Sequence, residues 1–350
     1  MTNKKTPNKA QIERLLARRK QHESQLNPEL ITEKILRGDK TALSDAITLI
    51  ENKIEAKRTI GQTILSNCLP HSGKSIRIGI TGVPGVGKSS FIEAFGTHLT
   101  EQGCKVAVLA IDPSSEISKG SILGDKTRMI ELSANPNAFI RPTATSGSLG
   151  GVAHKTRETI LLCEAAGFDT ILVETVGVGQ SETEVHSMTD FFLLLMLAGA
   201  GDELQGIKRG IMEMADTILI TKADGKNVKP ANLARTEYKN ALHLFPAKEN
   251  NWIPKVETVS AMENRGLDKI WKIIKTYDQM THSNGWKDSN RKAQQEYWMK
   301  ESIQSQILEE FYQTKGIQDK IKEITNDLNV GKLTSYQAAE LIIKYYKKQK

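Results

Sequence analysis

Gly82-Val83-Pro84-Gly85-Val86-Gly87-Lys88-Ser89-Ser90 decides how this chain is read. The stretch matches G-x-x-x-x-G-K-[ST], a loop that wraps a phosphate. Its flanks match too: residues 75–81 (S-I-R-I-G-I-T) have the character of a buried strand, and residues 90–99 that of a helix. Glycines let the backbone close round a phosphate where a Cβ would collide. The loop N–H groups and the positive end of the helix dipole then point at one spot. In that setting Lys88 reaches the β- and γ-phosphates, and the Ser89 hydroxyl ligates Mg²⁺.

Outward from the loop, residues 75–282 alternate strand and helix patterns. This predicts an α/β fold of the P-loop NTPase type, its mostly parallel sheet covered by helices on both faces. Strands are expected at 105–111, 138–141, 169–173, 191–198, 216–220 and 256–259. The segment 113–128 is too polar for core and too long for a simple connector, which marks it as a candidate mobile loop. Residues 1–74 read as a helical extension: Asn27-Pro28 is a cap with proline at the first helical position, Gly38 is a stop, and Leu43, Ala46, Ile47 and Ile50 recur at helical spacing. Residues 282–285 read as a polar linker. Residues 283–350 are a helical arm, with Trp298, Ile303, Ile307, Leu308 and Phe311 on one side of its first helix. That apolar side would serve either pairing with a second copy or packing on the same chain.

Two further motifs follow the loop. Glu174-Thr175-Val176-Gly177 ends an apolar strand, the layout that senses Mg²⁺ and a γ-phosphate. Glu174 carries one methylene more than the Asp common there, a length suited to acting through water. Thr221-Lys222-Ala223-Asp224 ends a later strand and approximates N-K-x-D, in which a carboxylate accepts from guanine N1–H and the exocyclic amine while the Lys stem stacks on the base. Adenine would leave that carboxylate unpaired, which is how the motif discriminates. At Thr221 a hydroxyl replaces part of the bonding of an amide. Ser260-Ala261-Met262, after the last strand, matches the short loop whose backbone contacts the guanine oxygen.

Composition excludes several classes. The chain has 350 residues, 39% hydrophobic and 25% charged, with a net charge of +7, which suits phosphates, coenzyme A or an acidic partner. No apolar run reaches the roughly 18 residues of a membrane span, and no zinc finger or RNA-binding aromatic signature is present. Neither membrane nor nucleic acid is expected as a partner. Cys68, Cys104 and Cys163 lie far apart, as reduced thiols of a cytoplasmic protein do.

The P-loop, A-I-D-P-S-S (110–115), G-D-K-T-R-M (124–129), V-E-T-V-G-V-G-Q-S-E (173–182) and G-A-G-D-E-L-Q-G-I-K-R-G-I-M-E (199–213) together resemble the MeaB/ArgK family, GTPases associated with the adenosylcobalamin enzyme methylmalonyl-CoA mutase. The resemblance covers about residues 30–350. It implies a GTPase that gates cofactor loading into the mutase, or into a related acyl-CoA mutase, and protects or reactivates it. It also implies a homodimer built through the C-terminal helices, and GTP/GDP with Mg²⁺ as cofactors. It makes Asp112 and Glu174 the acids around Mg²⁺ beside Ser89. It assigns Asp125, with Lys126 and Arg128, to a segment closing on the γ-phosphate, so that Lys88, Glu174 and Asp125 are the catalytic candidates. Residues 177–186 and 199–210 become further switches. Val178 stands where Ras-like proteins hold a water-orienting Gln, so hydrolysis is expected to be slow alone and faster with a partner. Thr221 and Ala198, where the family usually has proline, are departures. Three alternatives stand beside this reading: a GTPase for metal insertion, which lacks a Cys/His ligand cluster here, a kinase linked to a transport system, which lacks an identifiable acceptor-activating base, and a nucleotide-binding scaffold with negligible turnover.

Overall fold

A computed structural model describes residues 26–52, 54–111, 129–143, 149–175, 181–199 and 209–349. The mobile-loop segment at 113–128, Asp112, Asp125 and Val178 lie outside the described residues. The described chain divides into two compact units, one ending at Arg291 and the other running from Lys292 to Lys350.

Three helices come first among the described residues of this unit: α1 (Pro28–Leu36), α2 (Lys40–Ile50) and α3 (Glu55–Cys68). Their starts follow from local chemistry. The Asn27 carboxamide accepts from the Leu30 N–H, with Pro28 at the first helical position, and the Asp39 carboxylate accepts from the N–H groups of Thr41 and Ala42.

The described residues hold seven strands, β1 (Ile76–Gly82), β2 (Val106–Ile111), β3 (Ala138–Thr143), β4 (Thr170–Thr175), β5 (Phe191–Met196), β6 (Thr217–Ile220) and β7 (Lys255–Thr258). They form one wholly parallel sheet in the order β3-β2-β4-β1-β5-β6-β7. The connections are α4 (Lys88–Glu101), α5 (Ile130–Ala134), α6 (Leu149–Ala165), α7 (Ser181–His186), α8 (Arg209–Met214) and α9 (Val228–Leu242), with α10 (Leu267–Ser283) after β7. Burial on both faces accounts for the near-continuous apolar strands. In β5, Phe191, Leu193 and Leu195 join Phe91, Phe95 and Leu99 of α4 and Ile270, Trp271 and Ile274 of α10 on one face. Leu194 and Met196 join Ala231, Ala234 and Tyr238 of α9 on the other.

Several boundaries differ from the sequence expectation, and three of the differences have a physical reason. β3 continues through Pro142 to Thr143 because it is the edge strand, where a missing N–H leaves no ladder bond unmade. β4 continues to Thr175, so Glu174 sits inside the ladder opposite Ile80 and Ala110. In place of a linker from 282, α10 runs to Ser283, and only Asn284 and Gly285 (φ 76°) separate it from α11 (Trp286–Gln313). The five-residue α5 gave no helical signal of its own. Its first N–H groups, those of Glu131 and Leu132, donate to the Glu93 carboxylate of α4, a cap supplied from elsewhere in the chain.

The second unit holds the rest of α11 with α12 (Ile317–Asn329) and α13 (Ser335–Gln349). Phe311 and Tyr346 meet edge to face at 5.1 Å. Ile303, Ile307 and Leu308 of α11 are about half exposed.

Candidate functional site

The sheet order sets the place of the site. β1 is central, flanked by β4 and β5, and the loop 82–90 leaves its carboxyl end, where open parallel sheets form their binding crevice. Gly82 admits no side chain, since a Cβ there would come within 2.6 Å of the Leu195 carbonyl oxygen. Gly87 caps α4 with φ 92°, a conformation that favours glycine. The loop and first turn (Val83, Gly85, Val86, Gly87, Lys88, Ser89 and Ser90) line a cavity of about 420 Å³ at the N-terminus of α4. The positive end of a 14-residue helix thus faces a space walled by backbone, an arrangement suited to an anion. Pro84 is exposed at the turn of the loop.

Lys88 folds back over the loop, its Nζ donating to the Gly82 carbonyl at 2.7 Å. Burial lowers its pKa below the ordinary lysine value, and the carboxylates of Glu174 and then Glu182 oppose that shift. Both acids are buried, Glu174 near the end of β4 and Glu182 in the first turn of α7. Glu182 went unrecognised in the sequence, where the available signal was a second acid eight residues beyond the first. The strand ends are also linked: Thr175 Oγ1 donates to Thr81 Oγ1 at 2.9 Å.

The turn after β6 leans on the same loop. Thr221 is buried, and its Oγ1 donates to the Val86 carbonyl at 2.8 Å, with the Met196 carbonyl at 3.2 Å. Lys222 takes the left-handed conformation (φ 54°), which sends its Nζ to the Gly85 carbonyl at 2.8 Å, while its own carbonyl accepts from Asn227 Nδ2 at 2.7 Å. Asp224 Oδ2 accepts from Ser260 Oγ at 2.6 Å, and the same Ser260 oxygen accepts from the Glu263 N–H. Backbone bonds in both directions between Ser260 and Arg265 close the loop, and the Arg265 guanidinium donates to the Ala223 carbonyl. Ala261 is partly exposed in that loop and Met262 is almost wholly exposed. The fold therefore brings together the loop 82–90, Glu174, the turn 221–224 and the loop 260–262, segments that span 180 positions of sequence. Arg265 and the Ser260–Asp224 bond are additions that sequence reasoning lacked, because a bond across 36 positions has no local signature.

The family model for methylmalonyl Co-A mutase-associated GTPase MeaB matches residues 43–316. The chain belongs to the MeaB family. Among its relatives, a probable GTPase of Mycobacterium tuberculosis is 48% identical over 306 residues, 87% of this chain and 91% of that one. The mitochondrial methylmalonic aciduria type A homolog of Mus musculus is 45% identical over 323 residues, covering 89% and 78% respectively. The GTPase ArgK of Escherichia coli is 45% identical over 290 residues, covering 82% and 88%. A crystal structure described as LAO/AO transport system kinase superposes with a TM-score of 0.72 at 34% identity, covering 91% of this chain and 97% of that one. This MeaB-family GTPase thus shares the parallel sheet and the P-loop of a family of GTPases. No helix among its described residues is long and apolar enough to cross a membrane.

Proposed function

We propose that this MeaB-family protein binds GTP with Mg²⁺, hydrolyses it slowly, and serves as a chaperone of an adenosylcobalamin-dependent methylmalonyl-CoA mutase or a related acyl-CoA mutase. In that role it gates cofactor loading and protects or reactivates the enzyme. The observation carrying this reading is the phosphate-loop cavity with Lys88 in its wall, the Glu174 charge acting on that lysine, and the Asp224 turn tied to the same loop through Thr221. The name of the family model supplies the mutase.

In this reading Lys88 exchanges its bond to Gly82 for the β- and γ-phosphate oxygens. The loop N–H groups hold the α- and β-phosphates, and Asp224 accepts from guanine N1–H and the 2-amino group. Ser89 in the first turn of α4 and Glu174 on β4 are hard oxygen donors beside the phosphate cavity, a set that suits Mg²⁺. The ion, when bound, draws charge from the γ-phosphate oxygens. Asp112 is the further acid proposed around it, and Asp125 the group closing on the γ-phosphate. Ser260, Ala261 and Met262 flank the base oxygen. Val178 cannot orient water, which accounts for slow turnover alone. The half-exposed Ile303, Ile307 and Leu308 support the C-terminal unit as the homodimer contact of a cytoplasmic protein, with residues 1–74, 75–282 and 283–350 as extension, G domain and arm.

The test is the steady-state GTPase rate with and without a cobalamin-dependent mutase. Acceleration is expected, and an unchanged rate rejects the chaperone role. A kinase acting on a transport component is the second reading, favoured by the description of the similar crystal structure. It requires phosphate to appear on an acceptor protein rather than in solution.

A further inference from the structure

We propose that Thr221 is a positioning residue whose single hydroxyl proton is committed to the phosphate loop, so that position 221 reads no atom of the guanine base. The inference rests on the guanine reading above and concerns which edge of the base that site recognises. Thr221 is 5% exposed. Its Oγ1 lies 2.8 Å from the Val86 carbonyl oxygen and 3.2 Å from that of Met196, two acceptors sharing one proton. A hydroxyl has one donor and two lone pairs, whereas an asparagine carboxamide has two N–H donors. An Asn at 221 could give one N–H to the Val86 carbonyl and keep the other for the base. A Thr that binds the carbonyl has only lone pairs left.

The geometry of a purine completes the argument. When Asp224 takes the N1 and 2-amino edge, and N9 carries the ribose towards the phosphate loop, the edge left for the β6 end is O6 and N7. Both are acceptors, and a hydroxyl oxygen without a free proton offers them nothing. The neighbouring residue repeats the pattern, since Lys222 Nζ spends one of its protons on the Gly85 carbonyl. Positions 221 and 222 therefore strap the base-reading turn to two successive carbonyls of the phosphate loop, and donor chemistry towards the base falls to the backbone of residues 260–262. Discrimination between guanine and adenine then belongs to Asp224, which Ser260 Oγ holds at 2.6 Å. A guanine analogue altered only at N7 should escape it.

The experiment measures dissociation constants of GTP, 7-deaza-GTP and ATP for the full-length protein with Mg²⁺, by competition against a fluorescent guanine nucleotide. Wild type is expected to bind 7-deaza-GTP within about twofold of GTP, and ATP far more weakly. Thr221→Asn restores a second donor and is expected to prefer GTP over 7-deaza-GTP by about three- to tenfold, the yield of one net hydrogen bond. Thr221→Val removes the strap and should weaken GTP and 7-deaza-GTP by the same factor, with Thr221→Ser restoring both. An unchanged ratio of the two nucleotides in the Asn variant overturns the argument that the missing second donor is what keeps position 221 from the base. A wild type that favours GTP over 7-deaza-GTP by more than about fivefold overturns the inference while leaving guanine specificity intact. Equal binding of GTP and ATP overturns the guanine reading and this inference with it. Should the Asn variant fail to bind any nucleotide, the wild-type ratio alone decides.

Discussion

Replacing Arg291 by Met should destabilise the first unit far more than loss of a surface charge. The guanidinium grips Asp190 with both carboxylate oxygens, Nε to Oδ1 at 2.8 Å and Nη2 to Oδ2 at 2.6 Å, and also donates to the carbonyls of Gly73 and Ser75. Asp190 is buried at the start of β5 and otherwise accepts from the Arg77 N–H at 2.9 Å. Met keeps the stem and drops the charge, stranding a buried carboxylate. Breaking a buried pair in this way costs about 3–5 kcal/mol, against a total stability of about 5–15 kcal/mol. At roughly 2–4 °C per kcal/mol for domains of about 150–250 residues, Tm should fall by roughly 6 °C or more. Asp190→Asn together with Arg291→Met should recover part of the loss, because no charge is then left unpaired. The sign of the pH effect follows from the same bond. Burial alone would raise the Asp190 pKa, but the Arg291 hydrogen bonds and the charges of Arg291, Arg77 and Lys287 together hold the group below its ordinary value. The folded state therefore binds fewer protons than the unfolded chain. The contribution is present above the unfolded aspartate value of about 3.9 and is lost as pH falls through the lower folded value. Thermal unfolding by circular dichroism, from pH 7 down into that range, reads both effects. A fall in Tm under about 2 °C for Arg291→Met, or a double variant as unstable as the sum of the singles, refutes the reasoning.

Lys88→Ala should abolish GTP turnover in a phosphate-release assay, since the loop 82–90 holds no other cation; normal turnover would end the P-loop assignment. Asp224→Asn should weaken GTP at least tenfold more than ATP in equilibrium binding, and equal losses would show that Asp224 is not the base reader. Truncation after Arg291 removes the second unit and should convert a dimer into a monomer by light scattering while GTP binding persists; an unchanged mass would rule out the C-terminal unit as the dimer contact. Substituting Asp202, Glu203 or Lys208 should lower mutase-stimulated GTPase activity more than the basal rate. Proportional losses in both would place those residues in the phosphate site instead of a relay.

Most of the fold was legible because its signals are local. Most strands are apolar runs bounded by turn residues, Asn27-Pro28 and Gly38 mark the limits of α1, and alternation of strand and helix points to parallel pairing. Errors fell where a neighbour overruled the local signal. The strand expected to stop at residue 141 runs on through Pro142, which is tolerated because β3 has no partner on its outer side among the described residues. Glu174 looked like the residue after a strand, yet no breaker stands before Gly177, and ladder partners on both sides hold it in β4. The cap of α5 lies on Glu93, 38 positions before the N–H of Glu131 that it accepts.

For the site, motif spacing supplies the residue types but not their states. The sequence places Lys88 in a phosphate loop. It cannot say that the ammonium rests on the Gly82 carbonyl within the influence of two buried acids, or that one of them is Glu182. That setting matters to the chemistry. A lysine whose charge is already opposed by burial and supported by carboxylates gives up little hydration when a triphosphate arrives, so more of the new Coulomb attraction remains as binding. Thr221 teaches the converse point. Read as a motif it is an imperfect asparagine, an apparent loss of base recognition. Read as a side chain with one proton and a carbonyl 2.8 Å away, it is a complete solution to a different requirement, fixing the base turn to the phosphate loop. The hydroxyl proton can be committed only once, and its partner is chosen by a fold that brings residues 86 and 221 together.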